Sequence, residues 1–453
     1  MSPKITKMDI GSLRSTFQKI PWVQHGRINK VVGTIVEASL PEAQLGTIVN
    51  IQIPDREDRI IAEVVGFRNE QAVLLPFTHL QGVYPGCLVS VIQSYTEIPV
   101  GDFLLGKVID PFINSMTDEP IVIPSNAFMD KIDKEAPNPL HRQRIHEPLS
   151  LGVRSIDSLL TLGQGQRIGI MAGSGVGKSV LMGMMARNSS ADVNVIGLIG
   201  ERGREVREFI ERDLGVEGLK KSVVVPITSD QSQLMRIRGA KVATTIAEYF
   251  SSMGKNVLLM IDSLTRVAMA QREVGNAVGE PPTTKGYTPS VFSLLPKILE
   301  RSGPQEAGKG SISALYTVLV DGDDFNDPIA DAARSILDGH INLSRNLAAK
   351  GHFPAIEVQT SASRVMIDIV SEQHWKLAQA VRELLAIYED NFDLVQIGAY
   401  QPGTNPKLDL ALRLMPHIEN FLRQDISERS DLDSAITKLV EVLNIQEPEY
   451  QEG

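Results

Sequence analysis

The run Ala172-Gly-Ser-Gly-Val-Gly-Lys-Ser179 sets a lysine and a hydroxyl residue directly behind a loop with three glycines. Glycines let successive backbone N–H groups turn inward around an anion, and a helix starting at the lysine adds its positive N-terminal dipole. In such a loop Gly173, Ser174, Gly175, Val176, Gly177 and Val180 offer backbone to the phosphates of ATP. Lys178 reaches the β- and γ-phosphates, and the Ser179 hydroxyl is placed to ligate Mg²⁺. The context is right, because the apolar run Arg167–Met171 precedes the loop and a helical run, Val180–Arg187, follows it. Ala172 stands where the pattern often has its first glycine, a tolerated variation.

Two carboxylates end apolar runs elsewhere in the chain. Asn256-Val-Leu-Leu-Met-Ile-Asp262 would present Asp262 at the C-terminal edge of a parallel sheet, where it could hold Mg²⁺ through a water. Alone, a strand-terminal Asp is more often a turn or cap residue; beside a phosphate loop the metal role takes precedence. Val195–Gly200 passes directly into Glu201-Arg-Gly-Arg-Glu205. A glutamate there can polarise an attacking water, and an adjacent arginine can neutralise phosphate charge. A surface ion-pair cluster accounts for the same residues equally well, and composition leaves both readings open.

These groups need a sheet to gather them. From Leu151 to about Ile369, strand-like runs at 167–171, 193–199, 222–226, 256–261 and 314–320 alternate with helical patterns, which predicts a mainly parallel sheet covered by helices. Between Gly26 and Val91, short β-rich stretches separated by Gly, Pro and Asp predict a small barrel or sandwich. Ser125–Arg154, with Pro137, Pro139 and Pro148, reads as an irregular connector. From Val370 onward helical periodicity takes over, ending in Leu432, Ile436, Leu439 and Leu443 behind Ser430 as the expected cap. Near the start, Ile10, Leu13, Phe17 and Ile20 fall at helical spacing beside Arg14 and Lys19. That basic amphipathic segment suits a partner helix, an anionic membrane surface, or packing on its own domain. The expected division is a docking segment over 1–25, a barrel over 26–97, a nucleotide-binding domain over 98–369 and a helical domain over 370–453.

Bulk properties bound the function. The chain of 453 residues is too long for one ordinary core, and 42% hydrophobic with 22% charged residues is the balance of a soluble globular protein. A formal charge of −10 argues against non-specific nucleic-acid binding, so no nucleic-acid partner is expected. Cys87 is the single cysteine, which excludes an intramolecular disulfide and a Cys-based metal cluster. No run approaches the ~20 apolar residues of a spanning helix, and no secretory signal opens the chain. A cytoplasmic protein able to dock on a membrane is expected.

Four ordered motifs carry a family resemblance: Gly200-Glu-Arg-Gly-Arg-Glu-Val-Arg-Glu-Phe209, Met260-Ile-Asp-Ser-Leu-Thr-Arg266, Ala270-Gln-Arg-Glu-Val-Gly275 and Pro354-Ala-Ile-Glu-Val-Gln-Thr-Ser-Ala-Ser-Arg364. Together they resemble the catalytic subunits of rotary ATP synthases, and within that family the ATPases of flagellar and virulence-type type III protein export. The resemblance runs from about Gly26 through the tail. It implies a multidomain α/β protein with a small N-terminal β-barrel, a central RecA-like P-loop domain and a C-terminal helical domain. Glu201 matches the family's water-activating glutamate, and Arg202 and Arg266 match arginines that contact the γ-phosphate. Arg364 matches an arginine finger that enters the neighbouring subunit's site; Phe353 and Tyr400 resemble aromatic residues lining the adenine pocket. Glu357 departs from the family's usual Asp.

The tail has no run resembling the acidic lever motif of synthase catalytic subunits. The resemblance therefore implies ATP hydrolysis that energises type III export, releasing chaperones and unfolding substrates at the export gate, in the flagellar branch. The alternatives are an injectisome ATPase and a synthase catalytic subunit. The Gly/Pro-rich loop Gly275–Gly286 is similar to one that faces the central channel of a ring. Implied partners are five further copies in a homohexamer, a stator-like regulator at the N-terminus, a central stalk protein, and the inner-membrane export gate with substrate–chaperone complexes. An RNA-translocating helicase shares the core but needs stacking aromatics on its barrel, whereas Phe67, Phe77 and Tyr84 are scattered. A pseudo-ATPase should lack one of Lys178, Glu201 or Asp262, and the chain has all three.

Overall fold

The computed structural model describes residues 25–444 apart from 42, 55–58, 93–95 and 321–326. The amphipathic run Ile10–Ile20 lies outside the described residues. The chain divides into two compact units, Met1–Tyr95 and Thr96–Gly453.

The first unit is a closed barrel. Its strands are β1 (His25–Val32), β2 (Ile35–Ser39), β3 (Ile48–Gln52), β4 (Arg59–Arg68), β5 (Gln71–Pro76) and β6 (Leu88–Ile92), joined in the order β1-β2-β5-β4-β3-β6. Alternation sets the faces: along β4, Ile60, Ala62 and Val64 are buried while Arg59, Ile61, Glu63 and Val65 are not. The inward set joins Ile28, Val36, Val49, Ile51, Leu74 and Val89 in one core, which also takes in Cys87 as a small apolar filler.

In the second unit, a mainly parallel sheet carries strands β7 (Arg167–Ala172), β8 (Val193–Glu201), β9 (Ser222–Thr228), β10 (Val257–Asp262), β11 (Ser311–Leu319), β12 (Gly339–Leu343) and β13 (Ile356–Ser363). Their order is β9-β8-β10-β11-β7-β12-β13, and only the last pairing of this path is antiparallel. The first eight residues of β8 are all buried, as a strand covered on both faces requires. The helices used below are α1 (Lys178–Asn188), α2 (Gln233–Ser252), α3 (Leu264–Val278), α4 (Pro328–Ile336), α5 (Arg345–Ala349), α6 (Glu372–Gln396), α7 (Pro406–Leu422) and α8 (Leu432–Leu443). Side-chain caps open α2 through Ser232, α3 through Ser263 and α6 through Ser371. One apolar core runs from Ile168 and Met260 in the sheet and Met182 in α1 to Val381, Leu414 and Leu439 in the tail helices. Among the described residues no helix is long and apolar enough to cross a membrane.

Three local expectations change, and one further turn has no counterpart in them. Asp431, not Ser430, caps α8, in a capping box with Ser434; the aspartate is one residue nearer the helix and its carboxylate accepts the Ser434 N–H at 2.8 Å. The connector contains a strand, Phe128–Lys131, paired with Glu97–Val100; its adjacent apolar residues Phe128 and Met129 are both exposed, so it has no alternation to mark it. The loop read from Gly275 begins at Gly279, whose φ of 91° ends α3. Gly275 itself is helical, and it is a glycine because a Cβ there would stand 2.4 Å from Thr288 Oγ1. Finally, a π-helical turn, Phe209–Leu214, follows the helix Gly203–Glu208. No helix periodicity calculated at 3.6 residues per turn shows such an insertion.

Candidate active site

Parallel strands bring their C-terminal ends to one sheet edge, and here β7, β8 and β10 deliver Ala172, Glu201 and Asp262 there. The phosphate-binding turn leaves β7 at Ala172, with Gly175 at φ 79° and Gly177 at φ 83°, a region that side chains resist. Val176 is buried beneath the turn, and Lys178 opens α1. Gly173, Ser174, Gly175, Gly177, Lys178, Ser179 and Val180 face a cleft of about 560 Å³ that Glu201, Arg202 and Arg266 also line.

At its floor, Lys178 Nζ donates to Glu201 Oε1 at 3.2 Å and to Asp262 Oδ1. The lysine side chain is 12% exposed, Glu201 17% and Asp262 3%. Burial works against the ammonium charge, but Asp262 and Glu201 outweigh it, so the lysine pKa is raised and it stays protonated. Burial first, then the Asp262 charge, push Glu201 up to about 7 against the pull of Lys178. The result is a carboxylate whose basicity is poised near neutral pH, as a general base for water needs.

Two supporting residues went unassigned in the sequence. Thr317 Oγ1 donates to Asp262 Oδ1 at 2.6 Å from β11, which lies between β10 and β7. Its signal was a lone aliphatic hydroxyl in the apolar run 314–320. Glu205, in the helix Gly203–Glu208 that follows β8, shares a side-chain hydrogen bond with Glu201, and that bond is the main reason its own pKa falls. Its signal was a second glutamate in the charged run that follows β8.

The arginines divide by position. The Arg266 side chain packs on Gly200, where a Cβ would come within 2.9 Å of it, and its Nε is buried with no hydrogen-bond partner among the described residues. A buried N–H on a residue that lines a cleft needs an acceptor, which a phosphate oxygen can supply. Arg202 sits at the mouth, 81% exposed and 2.9 Å from Glu205. Arg364 is not among the residues lining the cleft, and β13 explains why. That strand runs antiparallel to β12, so Arg364 emerges at the opposite sheet edge, where its N–H donates to Asp338 O while the Asp338 N–H donates to Arg167 O. The five-residue step from Arg167 to Ala172 along β7 is about 17 Å.

The Phe353 ring lies against the turn, 3.3 Å from where a Gly177 Cβ would stand, and its carbonyl accepts from the Gln424 N–H at 3.0 Å. Tyr400 is engaged elsewhere, donating to Asp409 Oδ1 at 2.8 Å and Asn405 O at 3.1 Å at the start of α7.

Known proteins match each part of the chain. The nucleotide-binding domain of the ATP synthase alpha/beta family matches residues 152–363, its beta-barrel domain residues 28–91, and the T3SS EscN ATPase C-terminal domain residues 370–441. The chain is 50% identical to the flagellum-specific ATP synthase of Bacillus subtilis over 425 residues, which is 94% of this chain and 96% of that one. It is 46% identical to the type 3 secretion system ATPase of Sinorhizobium fredii over 428 residues, 94% of each chain. Among solved structures, the assembled ATPase EscN from the type III secretion system of enteropathogenic E. coli superposes with a TM-score of 0.87 at 48% identity, covering 92% of this chain and 100% of that one. The same ATPase in complex with its central stalk EscO gives 0.84 at 47% identity, with the same coverage. Matched in barrel, nucleotide-binding domain and tail, the chain belongs to the ATP synthase alpha/beta family, as a P-loop ATPase of the branch that ends in the type III secretion C-terminal domain.

Proposed function

We propose that the cleft behind Lys178 hydrolyses ATP to ADP and phosphate, and that this work drives type III export of flagellar proteins. The observation that carries the reading is the convergence of Lys178, Glu201 and Asp262 from three segments at one sheet edge. The turn and Lys178 hold the β- and γ-phosphates. Glu201 takes a proton from the water that attacks the γ-phosphorus as the bond to the bridging oxygen breaks, and ADP leaves with that electron pair. Arg266 offers its buried N–H to the charge that builds on the γ-phosphoryl oxygens. Phe353 supports a base-stacking face beside the turn, and Tyr400 a more distant part of that wall.

Magnesium fits the residues present. The Ser179 hydroxyl in the cleft and the Asp262 carboxylate, oriented by Thr317, are the hard-oxygen donors this ion takes alongside water and phosphate. When bound, the ion would screen the phosphate charges.

The separation of Arg364 from the turn supports a site completed in trans. A head-to-tail ring gives Arg364 of one copy access to the next copy's γ-phosphate, and Arg202 at the mouth meets the same region. We propose a homohexamer, with the loop after Gly279 facing a central stalk, the N-terminal residues taking a stator-like regulator, and the ring docked at the inner-membrane export gate with substrate–chaperone complexes. The four-part division at residues 25, 97 and 369 belongs to this proposal. The tail match to the secretion ATPase domain favours export over proton-driven synthesis. Purified alone, the chain should hydrolyse ATP with specific activity that rises with protein concentration. An inert monomer rescued only by a different subunit would overturn the export reading. A deletion strain that keeps full motility would overturn the flagellar assignment.

A further inference from the structure

Arg345 opens α5, directly after β12. β12 runs parallel to β7, with Gly169 beside His340, Ile170 beside Ile341 and Met171 beside Asn342. Three residues past the last pair, the two segments carry Ser174 and Arg345, so strand register alone brings this arginine to the phosphate-binding turn. The contact is close: a Cβ built on Gly173 would stand 2.7 Å from Arg345 Nε and 2.8 Å from Nη2. Gly173 is therefore a glycine for a reason beyond turn conformation, since any side chain would displace the guanidinium from the loop. The same segment returns to the turn at Phe353, against Gly177. One end of the turn thus faces a ring, the other a cation.

We infer that Arg345 is a further phosphate-binding residue of this site, acting in cis from the β12–α5 edge on the charge of the polyphosphate. The inference rests on the cleft being the ATP site. Charge supplies the reason: Lys178 lies between Glu201 and Asp262, so with both carboxylates ionised that trio sums to −1, and a polyphosphate entering beside it needs cations from neighbouring elements. A guanidinium presents its donors in a planar fork that matches phosphate oxygens, and Gly173, which it touches, itself lines the cleft.

The test titrates the full-length protein with ATP, ADP and AMP, comparing Arg345→Met, which keeps the length and removes the charge, with Arg345→Lys, which keeps the charge. Arg345→Met should weaken ATP binding about tenfold, ADP less and AMP hardly at all, with Arg345→Lys recovering most of the loss. Parent-like ATP affinity in Arg345→Met would overturn the inference, and so would an equal loss for all three nucleotides, which marks a packing role. Lys178→Ala is measured in parallel. If that variant binds ATP as the parent does, the reading of the cleft fails instead.

Discussion

Glu201 is the proposed base, and its environment sets both its position and its proton affinity. Replacing it with Gln keeps the shape and removes the base, so ATP binding should persist while turnover falls about 10²- to 10⁴-fold. Nucleotide titration beside phosphate release checks this, and parent-level turnover would take Glu201 out of the role. The pH profile follows from the same residue. A carboxyl raised to about 7 holds its proton below that pH and is then no base. The profile of kcat/KM for ATP, which reports the free enzyme, should fall roughly tenfold per unit below about pH 7 and level off above. A flat profile across that range would remove the raised basicity from the mechanism.

Among elements, α1 is held by a glycine that no phosphate motif demands. A Cβ at Gly183 would stand 2.6 Å from Asp213 O, in the π-helical turn that packs on α1. Gly183→Ala should therefore separate the two segments and destabilise the second unit by about 1–3 kcal/mol, read as a lowered denaturant midpoint. An unchanged midpoint would mean the turn yields at no cost. At the other end of the chain, Asp431→Ala should speed amide exchange through residues 432–435, the first turn of α8, whereas Ser430→Ala should not. The reverse result would restore Ser430 as the cap.

Taken as a whole, the molecule sets Glu201 and Arg364, the proposed base and finger, apart in a way that one chain does not unite. Glu201 lies at the C-terminal edge of the sheet and Arg364 at the other, so each complete site draws on two copies in the proposed ring. Glu201→Gln and Arg364→Ala should each be nearly inactive alone. Mixed one to one before assembly, they should regain activity, because about one interface in four then joins an intact Glu201 to an intact Arg364. No recovery on mixing would mean that Arg364 acts within its own chain or not at all.

The sequence by itself determined the phosphate-binding turn, the two strand-terminal carboxylates and the parallel sheet that gathers them. Each is written in local order: glycine spacing, apolar runs and the residue that ends them. It also named Arg364 and Phe353, through motif resemblance, without saying where they stand. Tertiary structure alone decided that Lys178 bridges both carboxylates, that Thr317 steadies Asp262, that Gly173 must admit Arg345, and that Tyr400 hydrogen-bonds Asp409 at the start of α7. Those are contacts between segments dozens of residues apart, and their partners are chosen by strand order and register, which no local pattern encodes.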